Sequence, residues 1–227
     1  MIEQRSLEWH RERLGKITAS EFHNLMKNNR KKEPFSDATY TYLNRKVMER
    51  YIPMDDGTAD EYIDLHTISN AAMRYGTEME DMARNAYAEA MGYEVMQVEF
   101  VPLKGYEQIC GASADGIVRE ESGGVEIKCP FSIEHHLDYL LLSDVNDLHD
   151  LRPEYYWQMR LCMLVWDLQW YDFVSYCPYV SRSKQLKVLR MFRNSEIDAE
   201  ITSRLDLARS YMMDQIAKIN NTQIIIK

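Results

Sequence analysis

Two short strand-forming segments, 115–119 and 125–129, are separated only by Glu-Glu-Ser-Gly-Gly, a spacing that dictates an antiparallel hairpin in mid-chain. Alternate side chains of a strand share a face, so Glu126 and Lys128 point one way, Ile127 the other, and Asp115 stands on the neighbouring strand. Two carboxylates on paired strands suit a hard divalent cation such as Mg²⁺, and the Ile127 carbonyl is a further oxygen. Lys128 beside cation-bound water would orient it and favour its deprotonated form, which are parts that phosphodiester hydrolysis needs. The bland alternative is an exposed hairpin whose Asp, Glu and Lys form weak, solvated ion pairs.

Around this hairpin the patterning is mixed. Ser6 can cap a helix over 7–14 that Gly15 ends, and Thr18 with Glu21 has capping-box spacing for a second helix toward Met26. Residues 27–36 read as a basic loop containing Lys31 and Lys32, 37–51 as a helix, and 53–64 as an acidic loop. The clearest early helix is 69–91, with Met79, Ala83, Ala86, Tyr87 and Ala90 at helical spacing and Gly92 as its stop. Glu80 lies on or beside that apolar face, where a carboxylate is either buried at a cost or faces a polar site.

From Glu94 the period changes to two through Met96, Val98 and Phe100, opening a sheet that 108–113 continues. A helix over 133–142, a polar loop to Pro153, a helix over 154–166 that is apolar nearly all round, and strands at 170–177 and 185–192 follow. Ser195 can cap a last helix striped by Ile197, Ile201, Leu205, Ala208, Met212 and Ile216. With no repeat or linker, residues 1–227 read as one mixed α/β domain.

Composition narrows the classes. The 227 residues carry 27 Lys plus Arg against 36 Asp plus Glu, a net charge of −9, which argues against coating nucleic acid by general electrostatic attraction. It leaves open a nuclease with an acidic, cation-binding site and local basic grips. The four cysteines lack zinc-finger or CxxC spacing and read as reduced core residues. The apolar runs are too short to cross a membrane and the start lacks a signal-peptide pattern, so a soluble cytoplasmic protein is expected.

Five ordered motifs resemble one family over nearly the whole chain: Trp9-His10 through Arg13-Leu14-Gly15-Lys16-Ile17-Thr18-Ala19-Ser20-Glu21, Gly76-x3-Glu80, Ser113-x-Asp115-Gly116, Glu126-Ile127-Lys128-Cys129-Pro130, and Tyr155 to Gln158. They are similar to the phage lambda-exonuclease type of viral recombinase nuclease, YqaJ-like, within the PD-(D/E)xK restriction-endonuclease-like fold. That resemblance implies a central mixed β-sheet flanked by helices and a 5′ to 3′ exonuclease using Mg²⁺ or Mn²⁺ on one strand of linear duplex DNA.

The resemblance further implies Asp115 and Glu126 as metal carboxylates, Ile127 as a carbonyl ligand, Lys128 as the catalytic lysine, Glu80 near a second metal, and Gln158 in the active site. It implies Arg13, Ser20 and Ser113 as a 5′-phosphate pocket, a homotrimeric ring around DNA, and a single-strand annealing protein as partner in a bacterial host cell. Ala114 stands where the fold motif has proline, a residue that shapes backbone and ligates nothing.

Each residue also has a plainer role open to it. Arg13 can pair with a glutamate on its helix, Ser20 can be a helix residue behind Thr18, and Gln158 can be a buried hydrogen-bonding group. The histidines lack ligand spacing, and Ile224-Ile225-Ile226 can cover a core edge or a subunit contact. Competing functions are an endonuclease of the same fold and a non-catalytic DNA- or partner-binding module.

Overall fold

The computed structural model describes residues 2, 4–27, 33–67 and 70–222. Lys31 and Lys32 of the basic loop, the Ser69 start of the early helix, and Ile224-Ile225-Ile226 lie outside them.

Ser6 accepts the Trp9 N–H and starts α1 (Leu7–Arg13), as its hydroxyl predicts. After β1 (Ile17–Thr18) comes a 3-10 helix, Ala19–Asn24, in place of the expected α-helix. Thr18 makes no cap bond to its backbone; its hydroxyl instead meets the side chains of Ser20 and Glu21 at 3.4 and 3.3 Å. Ser36 caps α2 (Asp37–Glu49). The acidic stretch expected as a loop holds α3 (Thr58–His66), because Gly57 takes φ 86 at its start and Ala59 and Ile63, one turn apart, are buried. Asn70 caps α4 (Ala71–Met91), and Gly92 ends it at φ 70.

A three-stranded sheet, ordered β1-β3-β2, is completed by β2 (Val101–Pro102) and β3 (Cys110–Ala112). The alternating run from Glu94 to Phe100 forms no strand, against its period; Met96 makes an isolated bridge to Ile117 of the second, larger sheet. The N-terminal segment takes up part of that run instead: Gln4 donates to the Val98 carbonyl at 2.9 Å, and the Ile2 N–H donates to Glu99.

The larger sheet, ordered β4-β5-β6-β7, contains β4 (Gly116–Val118), β5 (Gly123–Lys128), β6 (Trp170–Tyr176) and β7 (Leu186–Phe192). Its pairings are antiparallel, parallel and antiparallel, the mixed α/β arrangement expected, with the strands divided between two sheets. Gly123 and Gly124 belong to β5 rather than to the turn: a Cβ on either would lie 2.1 Å from the Trp170 ring or 2.4 Å from the Tyr171 ring.

Between β5 and β6 run α5 (Ile133–Leu140), α6 (Val145–Leu151) and α7 (Pro153–Trp166). The polar stretch before Pro153 therefore contains a helix, nucleated by an Asp144–Asp147 capping box with buried Leu148 beneath it. The last helix is α8 (Ser195–Asn220), capped by Asn194 rather than Ser195. Ile201, Leu205, Ala208 and Met212 of its predicted stripe are buried.

Period-two alternation in the sheet separates two cores. Val125, Ile127, Val174 and Tyr176 pack with Ala83 and Tyr87 of α4, while Tyr171 and Phe173 join the larger core with α2, α7 and α8. Cys110, Cys162 and Cys177 are buried and Cys129 is half-buried, all four as free thiols. No helix among the described residues is long and apolar enough to cross a membrane.

Candidate active site

The β4–β5 register pairs Gly116 with Val125, so Asp115, just before β4, stands across from Glu126. Its carboxylate accepts the Ile127 N–H at 2.8 Å, tying the first acid to the strand of the second. Ile127 turns toward α4, so Glu126 and Lys128 face away from that helix, as the alternation predicts.

Glu126 is fully buried, and Lys128 donates to its Oε1. Its Oε2 has no hydrogen-bond partner among the described residues. Burial, reinforced by the neighbouring Asp115 charge, pushes the Glu126 carboxyl up to about 8. Burial opposes charge on Lys128 as well, yet Glu126 and Asp115 outweigh it and hold the ammonium above its ordinary value. The Tyr155 ring on α7 lies 4.6 Å from that ammonium.

Glu80 on α4 completes the acidic group. Burial and then the Asp115 charge raise its pKa, against Arg5 and Arg84, which both pair with it. Arg84, buried, reaches Glu80 at 2.8 Å and the Asp115 carbonyl at 3.1 Å, joining α4 to the hairpin. Arg84 has no role in the sequence reading, although its i, i+4 spacing from Glu80 carried the signal. Arg5 gave no such signal, because it comes from 75 residues away, on a left-handed residue at φ 69.

Above this group opens a cavity of about 1030 Å³ lined by Glu80, Asp115, Ile127 and Lys128 together with Arg5, Arg74 and Arg152. His135, given no role from the sequence, also lines it, whereas His136 is buried between the Ser175 hydroxyl and the Lys184 carbonyl at 2.8 Å each.

Arg13, Ser20 and Ser113 come together through a residue with no role of its own in the sequence reading. Arg13 donates to the Ser20 hydroxyl at 3.3 Å and lies 3.9 Å over the Trp9 ring, whose Nε1–H donates to Ser113 at 2.9 Å. Burial lowers the Arg13 pKa to about 10, which still leaves a cation at neutral pH. Trp9 lines the cavity and Ser113 precedes Asp115 by two residues, so this cluster adjoins the carboxylates. Gln158 is half-buried on α7, one turn before Cys162, and does not line the cavity. That turn of α7 packs against β5, where burial and the Glu126 charge raise the Cys162 thiol.

The donor set fits a hard cation: three carboxylates and a backbone carbonyl, with one buried carboxylate oxygen that has no partner. As arranged, no three His, Cys, Asp or Glu side chains among the described residues meet as a ready metal cluster. Arg5 and Lys128 stand on the carboxylates instead.

A family model described as the YqaJ-like viral recombinase domain matches residues 8–169. Among solved structures, the alkaline exonuclease LHK-Exo in complex with dAMP aligns with TM-score 0.75 and 29% identity over 94% of this chain and 96% of that one. A second structure of that exonuclease, from Laribacter hongkongensis, gives 0.73 and 28% over 95% and 96%. A phage-related exonuclease from Haemophilus somnus 129PT shares the fold, with TM-score 0.67 and 16% identity over 90% and 96%. A comparison with curated proteins gave no match.

Proposed function

The chain belongs to the YqaJ-like viral recombinase domain family, and from that premise we propose a metal-dependent exonuclease working 5′ to 3′ on one strand of linear duplex DNA. The coarse assignment, a DNA nuclease, follows from the family and from two alkaline exonuclease structures at 28 and 29% identity. The finer reading has residues 1–227 acting as a single nuclease domain that leaves 3′ tails for a strand-annealing partner.

The observation that carries it is the buried Glu126 carboxylate, paired by Lys128 and standing across from Asp115 beneath a cavity rimmed with arginines. Asp115, Glu126 and the Ile127 carbonyl would hold one Mg²⁺ or Mn²⁺, and Glu80 a second. A bound cation of this kind polarises a phosphate and makes water a stronger nucleophile.

The chain's own groups supply the rest. Lys128, held as an ammonium by Glu126 and Asp115, favours negative charge on an attacking oxygen. Tyr155 restricts where that ammonium can point. Arg13, Ser20 and Ser113 offer a guanidinium and two hydroxyls, sound chemistry for a terminal 5′-phosphate, and the Trp9 ring orients the guanidinium. Gln158, which the resemblance assigns to the active site, stands on α7 outside the cavity lining, and no contact role is proposed for it. The Laribacter relative binds dAMP, a mononucleotide of the kind exonucleolytic cleavage releases.

A homotrimeric ring is part of the proposal, since a closed ring retains DNA without a broad basic surface. Ile133 and Leu137 on α5, with Leu141 just beyond it, form an exposed apolar row of the kind an assembly covers.

The test is digestion of linear duplex DNA with 5′-phosphate or 5′-hydroxyl ends, beside covalently closed circles, in Mg²⁺ or EDTA. Mg²⁺-dependent loss of linear DNA, fastest with the phosphate, is expected; cutting of closed circles would replace the exonuclease with an endonuclease.

A further inference from the structure

Glu80 is held by two arginines of different character. Arg84 is buried and anchored at once to Glu80, Asp81 and the Asp115 carbonyl. Arg5 takes the other Glu80 oxygen from the segment before α1, with its side chain 46% exposed at the wall of the cavity. Its backbone is fixed, because the neighbouring Gln4 donates to the Val98 and Ala114 carbonyls at 2.9 Å each. The guanidinium is therefore delivered to one place by a fixed chain and bound there by a single ion pair that is open to solvent on the arginine side.

We infer that Arg5 is a resident counter-cation of Glu80: a divalent cation displaces it, and the released guanidinium takes a phosphate of the DNA backbone in the same cavity. The inference rests on the nuclease reading of this site. A guanidinium and a metal ion compete for one carboxylate oxygen, and of the two arginines only Arg5 can leave without breaking the link between α4 and the hairpin. A planar fork of N–H donors then suits a phosphate as well as it suited the carboxylate. Cation binding and grip on DNA become coupled, and by linkage each strengthens the other.

The test is Mn²⁺ binding to the full chain without DNA, read from the spin-resonance signal of free ion, for the parent, Arg5→Ala, Arg5→Lys and Glu80→Gln. Glu80→Gln should bind Mn²⁺ more weakly. Arg5→Ala should bind it about two- to fivefold more tightly, the release expected from one half-exposed ion pair, with Arg5→Lys between. Unchanged or weaker binding in a folded Arg5→Ala protein overturns the exchange; should that variant unfold, Arg5→Gln carries the same expectation. On duplex protected by phosphorothioate ends, Mn²⁺ should raise affinity more in the parent than in Arg5→Ala, and an equal gain overturns the transfer to phosphate. Failure of the nuclease reading is separate, since it shows as absent cleavage by the parent chain.

Discussion

The Asp115 carboxylate accepts the backbone N–H of Ile127 at 2.8 Å, so one strand's acid is bonded to the residue between the other strand's Glu126 and Lys128. This bond fixes the separation of the two acids independently of any cation. Asp115→Asn keeps a side-chain oxygen for the Ile127 N–H and removes the charge. It should lower cleavage by about 10²-fold or more while the melting temperature stays near that of the parent and DNA binding persists or tightens. Cleavage rates, gel-shift affinity and thermal unfolding together check this, and loss of binding together with folding would count against it.

Lys128 pairs with a carboxylate that is buried while its own side chain is 25% exposed, so its removal strands Glu126 rather than itself. Lys128→Ala should abolish most cleavage, and the stranded Glu126 should keep its proton to higher pH. Lys128→Arg restores the charge but not the compact ammonium, and should recover folding more than activity. Single-turnover cleavage beside chemical denaturation separates the two effects.

How much of this was legible follows from sequence distance. The hairpin, the Glu126–Lys128 face and the Ser6 cap are decided by residues within a few positions of one another, and local rules read them. Glu80 stood out as an acid on an apolar face, while Arg84, its partner one turn away, was passed over although helical spacing pointed to it. Arg5 and Trp9 reach Glu80 and Ser113 across 75 and 104 residues, where no periodicity operates. The polar composition of α3 and α6 hid helices that two or fewer buried side chains hold, Ala59 with Ile63 and Leu148. The run from Glu94 has strand periodicity, but its backbone partners are an isolated bridge and the Gln4 side chain.

The Trp9 indole holds Arg13 by its face and Ser113 by its N–H, which makes it the joint of the proposed phosphate pocket. Arg13→Ala should cut the preference for a 5′-phosphate over a 5′-hydroxyl by about tenfold, the worth of a charge-assisted hydrogen bond, and leave the hydroxyl-ended rate little changed. Equal loss on both ends would assign Arg13 to general structure. Initial rates on matched duplexes read the difference.

Asp172 is fully buried, receiving Arg190 at 2.8 Å on each oxygen and the Tyr87 hydroxyl at 2.7 Å. It lies beside Val125 in the β5–β6 register, so this cluster braces the strand that carries Glu126. Asp172→Ala leaves a cation and a phenol without their acceptor and should cost about 3–5 kcal/mol of stability by urea unfolding. A smaller loss than about 1 kcal/mol would mean that water replaces the carboxylate.

Glu126 gives a pH signature that can be read with cations removed. Its carboxyl is raised by burial and by Asp115 from an ordinary 4.5 to about 8, so the folded protein holds a proton that the unfolded chain has already released. Below about 4.5 both states hold it, and between there and about 8 folding takes a proton up. Stability contributed by Glu126 is therefore present at the acid end and falls as pH rises through that window, by on the order of a few kcal/mol. Glu126→Gln removes the titration and leaves every other group in place. In EDTA, the parent's unfolding free energy minus that of Glu126→Gln should decline from pH 5 to 8 and level off above it; a flat difference would remove the raised carboxyl. The same proton competes with a cation, so Mn²⁺ binding to the parent should strengthen over the same interval and release up to one proton per site.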